Sequence, residues 1–129
     1  MLHYATIGSN DIARATGFYD ATMAALGLER CHSSEDELGY AAPEDTKCRL
    51  WVVTPFDDKP ANPGNGTMIA LYAPSHAAVD AFHAAAMANG GKDEGAPGLR
   101  AYGPHFYACY IRDPDGNKLS AVCEAPSIS

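Results

Sequence analysis

The chain has 129 residues, of which 47% are hydrophobic and 19% are charged, and its formal net charge is -7. This length suits a single domain with its own core. The acidic balance disfavours nucleic-acid binding, because the surface would repel phosphates, and no apolar run is long enough to span a membrane. The first residues lack the basic and apolar regions of a secretory signal, so we expect a cytoplasmic protein.

The first half of the sequence predicts a strand, a helix and three further strands. Residues 2–8 favour the first strand, and apolar residues then recur every three or four positions, which predicts a helix from Ile12 to Leu26. Ser9, Asn10 or Asp11 can cap the start of this helix, and Gly27 can end it. The three strands are predicted at about residues 29–33, 38–41 and 48–54. A loop with three prolines follows at residues 54–65.

The second half repeats this order. A strand at residues 67–73 leads to Pro74-Ser75, which opens a helix that ends at Gly90-Gly91. A Gly- and Pro-rich stretch at residues 95–103 predicts a short irregular strand. The last two strands are predicted at residues 106–112 and 118–123, joined by the turn Asp113-Pro-Asp-Gly-Asn117.

The two halves therefore predict an internal repeat of a βαβββ module. Module 1 covers about residues 1–60 and module 2 about residues 64–129 of one domain. The predicted fold class is α+β, with two curved mixed sheets around a cavity. Helices would cover one face of each sheet and leave the other face free for a ligand.

The four cysteines are far apart in the sequence. Cys31, Cys48, Cys109 and Cys123 form no Cys-x-x-Cys pair, so a structural zinc site is not expected. We expect all four to be reduced thiols that pack as small hydrophobic residues.

The order of elements, with particular residues, resembles the vicinal-oxygen-chelate superfamily. This superfamily includes glyoxalase I, the extradiol dioxygenases, and the fosfomycin- and bleomycin-resistance proteins. The resemblance covers essentially the whole chain and rests on His3, Phe18-Tyr19, the fifth strand at residues 65–71, and the turn at residues 113–117 with the strand after it. It implies a homodimer as well as the fold described above.

The resemblance also implies positions for a metal centre. Superfamily enzymes bind a divalent metal through the first strand (usually His), the fifth (usually His) and the last (usually Glu), with a fourth-strand ligand in glyoxalases. Here the first position is His3, but the fifth-strand position is Met68 and the last is Ser120. The fourth-strand position lies near residues 50–52, none of which is a ligand. Thioether and hydroxyl groups are poor ligands for Fe, Mn, Ni or Zn, so no cofactor is expected.

The leading hypothesis is a protein that binds a small molecule in the sheet cavity without this metal. If strand alternation brings His3, Met68 and Ser120 together, they form a partly apolar pocket in which His3 could act as an acid or base. We expect Trp51 and Tyr107 to line it as aromatic walls. In the loop before the last two strands, Arg100 could reach an anionic substrate and His105 could overhang the cavity.

Two other hypotheses remain. One is a metal-dependent lyase, isomerase or dioxygenase in which His3 anchors the ion and Glu124, His105 or a partner chain completes the shell. Glu124 shares the face of Ser120 by strand parity but lies about 13 Å further along, so it would need a bulge to reach the site. The other is an interaction protein with a collapsed cavity.

Overall fold

Both halves of the chain fold in the predicted order. The structure is a computed structural model that describes residues 1–126. The first half contains β1 (Ala5–Gly8), α1 (Ile12–Ala25), β2 (Glu29–Ser33), β3 (Glu37–Ala41) and β4 (Leu50–Val53). The second half contains β5 (Ile69–Tyr72), α2 (His76–Ala88), β6 (Lys92–Leu99), β7 (Tyr107–Arg112) and β8 (Lys118–Cys123). None of the helices within residues 1–126 is long and apolar enough to cross a bilayer.

Each half builds one four-stranded mixed sheet, and the two sheets have the same topology. Their strand orders are β1-β4-β3-β2 and β5-β8-β7-β6. The first and last strands of each module pair in parallel, and the other pairs are antiparallel. This architecture confirms the predicted α+β fold with two βαβββ modules.

Strand β6 is longer than predicted and begins earlier. It runs from Lys92 to Leu99, and its pairing with β7 shifts register on both sides of Gly95. Bulges of this kind allow a Gly- and Pro-rich segment to remain in a sheet, because the extra residues stay unpaired while the hydrogen-bonded pairing continues on either side.

Local sequence explains where the helices begin and end. The Asp11 side chain accepts a hydrogen bond from the Arg14 backbone N–H, and Ser75 caps α2 in the same way. After the helices, Gly27 and Gly90 adopt φ values of 77° and 92°. Glycine tolerates this left-handed conformation because it has no Cβ, so each helix stops where the chain turns.

The core lies on the helix-facing side of the two sheets. Helix α1 packs against β2, β3 and β4, α2 packs against β6, β7 and β8, and the two helices contact each other. The largest buried apolar side chains of the helices are Phe18, Tyr19, Met23, Val79 and Phe82. Alternate strand residues meet them, so each sheet has one covered face and one open face.

The turn at residues 113–117 connects the two modules. The Tyr19 hydroxyl, from α1, donates a hydrogen bond to the buried carboxylate of Asp113. The Asn117 side-chain amide donates to the Gly8 carbonyl at 2.9 Å, at the end of β1. A turn that closes one hairpin of module 2 thus also holds module 1 in place.

The prediction of four reduced cysteines is wrong for Cys31 and Cys48, which form a disulfide. Their Cα atoms are 6.0 Å apart although they are 17 positions apart in sequence. The β2–β3 hairpin and the segment before β4 converge here, because Gly39 of β3 has no side chain. A Cβ on Gly39 would lie 2.6 Å from the Cys48 Sγ. Cys109 and Cys123 are free thiols and are buried, as expected.

Candidate functional site

The open face of each sheet carries a cavity. The cavity on the first sheet has a volume of about 380 Å³ and is lined by Tyr4, Thr6, Glu37, Trp51, Val53, Thr54 and Phe56. The cavity on the second sheet has a volume of about 360 Å³ and is lined by Ala70, Leu71, Tyr72, Phe106, Val122 and Glu124. Both volumes lie in the range of small-molecule sites.

His3 does not lie on the open face of the first sheet. The residues that alternate with it, Ala5 and Ile7, pack against the core, whereas Tyr4 and Thr6 line the open cavity. We expected His3 to lie beside Met68 and Ser120. That expectation assigned the alternate residues of the first strand to the wrong faces of the sheet. His3 instead lines a separate crevice of about 320 Å³ between the modules, together with residues of β5.

Met68 and Ser120 do belong to the open side of the second sheet. Ser120 pairs with Ala70 on one side and with Tyr110 on the other, so these three side chains share one face. Met68 lies just before β5 and is 42% exposed. Ser120 is buried, and its Oγ has no hydrogen-bond partner among residues 1–126.

The two aromatic residues predicted as walls face different sides. Trp51 lines the open cavity of the first sheet, not the face of the second sheet that carries Met68 and Ser120. Tyr107 faces α2 instead: its ring stacks on His76 at 3.9 Å, and its hydroxyl donates to Asp80 at 2.7 Å. That hydrogen bond, with burial, raises the pKa of Tyr107 to about 12. The aromatic residue of β7 on the open face is Tyr110, three positions later.

Sequence reasoning missed Tyr110, although a signal for it was present. Counting outward from the two ends of the turn at residues 113–117 pairs Tyr110 with Ser120, and paired residues of an antiparallel hairpin share a face. The same count places Tyr107 opposite Cys123, on the core side.

The other candidate residues are dispersed. The guanidinium carbon of Arg100 lies 5.3 Å from the centre of the Tyr110 ring. His105 is exposed in the loop before β7. Glu124 lines the second cavity, but β7 and β8 pair without a register shift from Lys118 to Cys123. The bulge that would bring Glu124 back to Ser120 is therefore not present in this hairpin.

The residues at this site do not fit a divalent metal. Within residues 1–126, no three His, Cys, Asp or Glu side chains come close enough together to hold an ion. On the open face of the second sheet, the two positions where the resemblance implies metal ligands carry a thioether and a hydroxyl. Neither group replaces an imidazole or carboxylate for Fe, Mn, Ni or Zn.

The protein thus consists of paired βαβββ modules, and each module has a cavity on the open face of its sheet. The chain belongs to the Glyoxalase/Bleomycin resistance protein/Dioxygenase superfamily, whose family model matches residues 1–120.

Solved structures agree with this membership. A glyoxalase/bleomycin resistance protein from Albidiferax ferrireducens T118 is 35% identical, with 97% of this chain and 99% of that chain covered and a TM-score of 0.86. A putative glyoxalase from Bacillus halodurans is 23% identical, covers 95% of both chains and has a TM-score of 0.70. The fosfomycin resistance protein FosX from Listeria monocytogenes is 17% identical, with 97% of this chain and 93% of that chain covered and a TM-score of 0.68. No curated protein sequence matches the chain.

Proposed function

We propose that the chain binds a small molecule on the open faces of its sheets, without the divalent metal of the superfamily enzymes. The observation that carries this proposal is the open face of the second sheet. This face carries a cavity of about 360 Å³ lined in part by Ala70, which pairs with Ser120. Met68 and Ser120 stand where the resemblance places metal ligands. A site of this composition favours a ligand held by apolar contact and a few polar groups.

The proposal assigns His3 no role at the open faces. Its neighbours in alternation, Ala5 and Ile7, belong to the core, and its backbone carbonyl accepts a hydrogen bond from Arg49 at 2.9 Å. If the protein is also an enzyme, the acid or base must come from another residue of these faces.

The proposal includes a homodimer in which a second copy covers the open faces. Exposed aromatic side chains at both cavities support it: Tyr4 and Phe56 line the first cavity, and Tyr72 lines the second. Neighbouring large apolar groups that are exposed are typical of association surfaces. Sedimentation at several concentrations tests this part. A monomer at all of them would contradict it.

Metal analysis and a ligand screen test the central proposal. The protein is purified without added metal, its metal content is measured by mass spectrometry, and small organic compounds are screened by thermal shift both without and with EDTA. A ligand at 100 times its Kd stabilises the folded state by about 2.7 kcal/mol, which raises the Tm by several degrees. A stoichiometric metal, or a ligand-dependent rise that EDTA removes, would refute the metal-free site.

Two variants locate the binding. Val122 lines the second cavity and not the crevice beside His3, so Val122→Trp should fill the space and remove the ligand-dependent rise in Tm. Ala77, on the exposed side of α2, provides the matched control. Ala77→Trp should leave the rise unchanged. Equal responses of the two variants would place the ligand elsewhere.

A cytoplasmic location is the last part of this proposal, and the Cys31–Cys48 disulfide gives it a direct test. Disulfides persist mainly in oxidising compartments, so in a reducing cytoplasm these two thiols should be free. Alkylation in intact cells followed by mass analysis should then label both of them. Protein that carries an intact disulfide in the cell would contradict the location.

A further inference from the structure

A row of four paired residues crosses the open face of the second sheet. From β6 to β5 these are Gly95, Tyr110, Ser120 and Ala70, one from each strand. Because directly paired residues share a face, their side chains form a continuous strip on the open side. Tyr110 is the large member of this strip.

Two positive charges lie at the ring of Tyr110. The Arg100 guanidinium carbon is 5.3 Å from the ring centre, and the Lys118 Nζ is 5.7 Å from it. Both distances are within the range of cation–π contact. Gly95 keeps room for the guanidinium, since a Cβ there would lie 3.2 Å from Arg100 Nη2 and 3.0 Å from the Tyr110 ring.

Neither cation has an ion-pair partner among residues 1–126. The Arg100 guanidinium is positioned by backbone carbonyls, chiefly that of Ala96 at 2.7 Å. The next row contains two more basic residues, Lys92 and Arg112, paired in register with each other and with Lys118. One carboxylate, Glu94, lies here, and it binds Arg112 at 2.7 Å. This end of the face is therefore cationic on a chain whose net charge is -7.

The buried Ser120 hydroxyl is an independent observation at the same place. It is fully buried between Tyr110 and Ala70 in the strip, and its Oγ has no partner among the described residues. Buried polar groups in folded proteins are normally hydrogen-bonded, so an unpaired one indicates a missing partner.

On the other side of the strip the open face is apolar apart from Glu124, which also lines the cavity there. The next row toward the end of β8 pairs Ala108 with Val122 and Val122 with Tyr72, and Phe106 completes the cavity there. Along the strands, the face thus changes from cationic to mainly apolar over two rows of paired residues. Successive residues of a strand are only a few ångströms apart, so the change takes place over a short distance.

We propose that this face binds a small organic carboxylate with a flat or compact apolar body. The carboxylate lies against Arg100 and Lys118, the Ser120 hydroxyl donates to it, and the body extends over Tyr110 toward Val122 and Tyr72. This inference rests on the proposed function, because it names the ligand class of the same open face.

The test compares carboxylates with uncharged analogues of the same shape. The probes are benzoate, phenylacetate and cyclohexanecarboxylate, each against its own amide, with affinities measured by titration calorimetry in EDTA. We expect at least one acid to bind ten or more times tighter than its amide, and its affinity to fall as salt screens the cations.

Variants test whether Arg100 and Lys118 bind the carboxylate of the ligand. Arg100→Gln and Lys118→Gln should each weaken the preferred acid about tenfold and leave the amide unchanged. Arg100→Lys, which keeps the charge, should retain most of the affinity, and so separates lost charge from lost structure. The exposed Lys47 of the first module is the control, and Lys47→Gln should change nothing.

The possible failures are distinct. Acids and amides that bind equally, or acids whose affinity is unaffected by both glutamine variants, would overturn the carboxylate inference and leave small-molecule binding intact. Three acids that all fail to bind would also overturn it. If the thermal-shift screen also finds no ligand for the open face, the proposed function fails with it.

Discussion

The contact between Tyr19 and Asp113 links the two modules, and its removal should weaken the whole fold. The Tyr19 hydroxyl is fully buried and donates to the Asp113 carboxylate across the boundary between α1 and the turn at residues 113–117. A buried hydrogen bond to a charged group contributes about 1.5–3 kcal/mol. We therefore expect Tyr19→Phe to lower the free energy of unfolding by about 2 kcal/mol, measured by urea denaturation at pH 7.

Tyr19 should also make the stability of the fold decrease at alkaline pH. Burial first, and then the Asp113 charge, raise the pKa of Tyr19 well above its usual value of 10.0. Above pH 10 the unfolded chain loses this proton while the folded chain keeps it, so stability falls as pH rises. The slope from one such group approaches about 1.4 kcal/mol per pH unit. Tyr19→Phe should remove that part of the slope between pH 10 and 11.

Tyr72 provides the matched control for both measurements. It is 79% exposed, so Tyr72→Phe should change the free energy of unfolding by less than about 0.5 kcal/mol. The reasoning is refuted if Tyr19→Phe is as stable as Tyr72→Phe at pH 7, or if its alkaline slope equals that of the wild type.

Three further predictions concern the core and the cysteines. Replacing Cys31 and Cys48 together by serine should cost about 3 kcal/mol of unfolding free energy, the loop-closure value for a 17-residue separation; equal stability under oxidising conditions would contradict this. Phe82→Ala should cost about 4 kcal/mol in denaturant, because Phe82 is fully buried, whereas Leu99→Ala, at a side chain that is 64% exposed, should cost less than about 0.5 kcal/mol. Burial raises the pKa of Cys109 to about 11, so iodoacetamide should alkylate it slowly at pH 8 in the folded protein and quickly in urea; fast labelling of the folded protein would show that this thiol is accessible.

The sequence by itself determined the order of elements and the ends of the helices. These features depend on local physics: the spacing of apolar residues along α1, the caps at Asp11 and Ser75, and the glycines that follow each helix. The repeat of that order in both halves was enough to predict two βαβββ modules. The resemblance placed Ser120 at the site. The pairing of Ser120 with Tyr110 could also be read from the sequence, since the turn at residues 113–117 fixes the register of the last hairpin.

The tertiary structure decided which face each strand presents and which distant residues meet. In β1 the alternation is too weak to choose a phase, because His3 accompanies the apolar Ala5 and Ile7 while Tyr4 accompanies Thr6. Only the packing of Ala5 and Ile7 against the core leaves Tyr4 on the open face.

The Cys31–Cys48 bond and the cluster of Arg100 and Lys118 on Tyr110 arise in the same way. Each joins segments that are separate along the chain and come together through strand pairing. A one-residue change in the phase of a strand exchanges its two faces, so such contacts could not be predicted before burial selected the register.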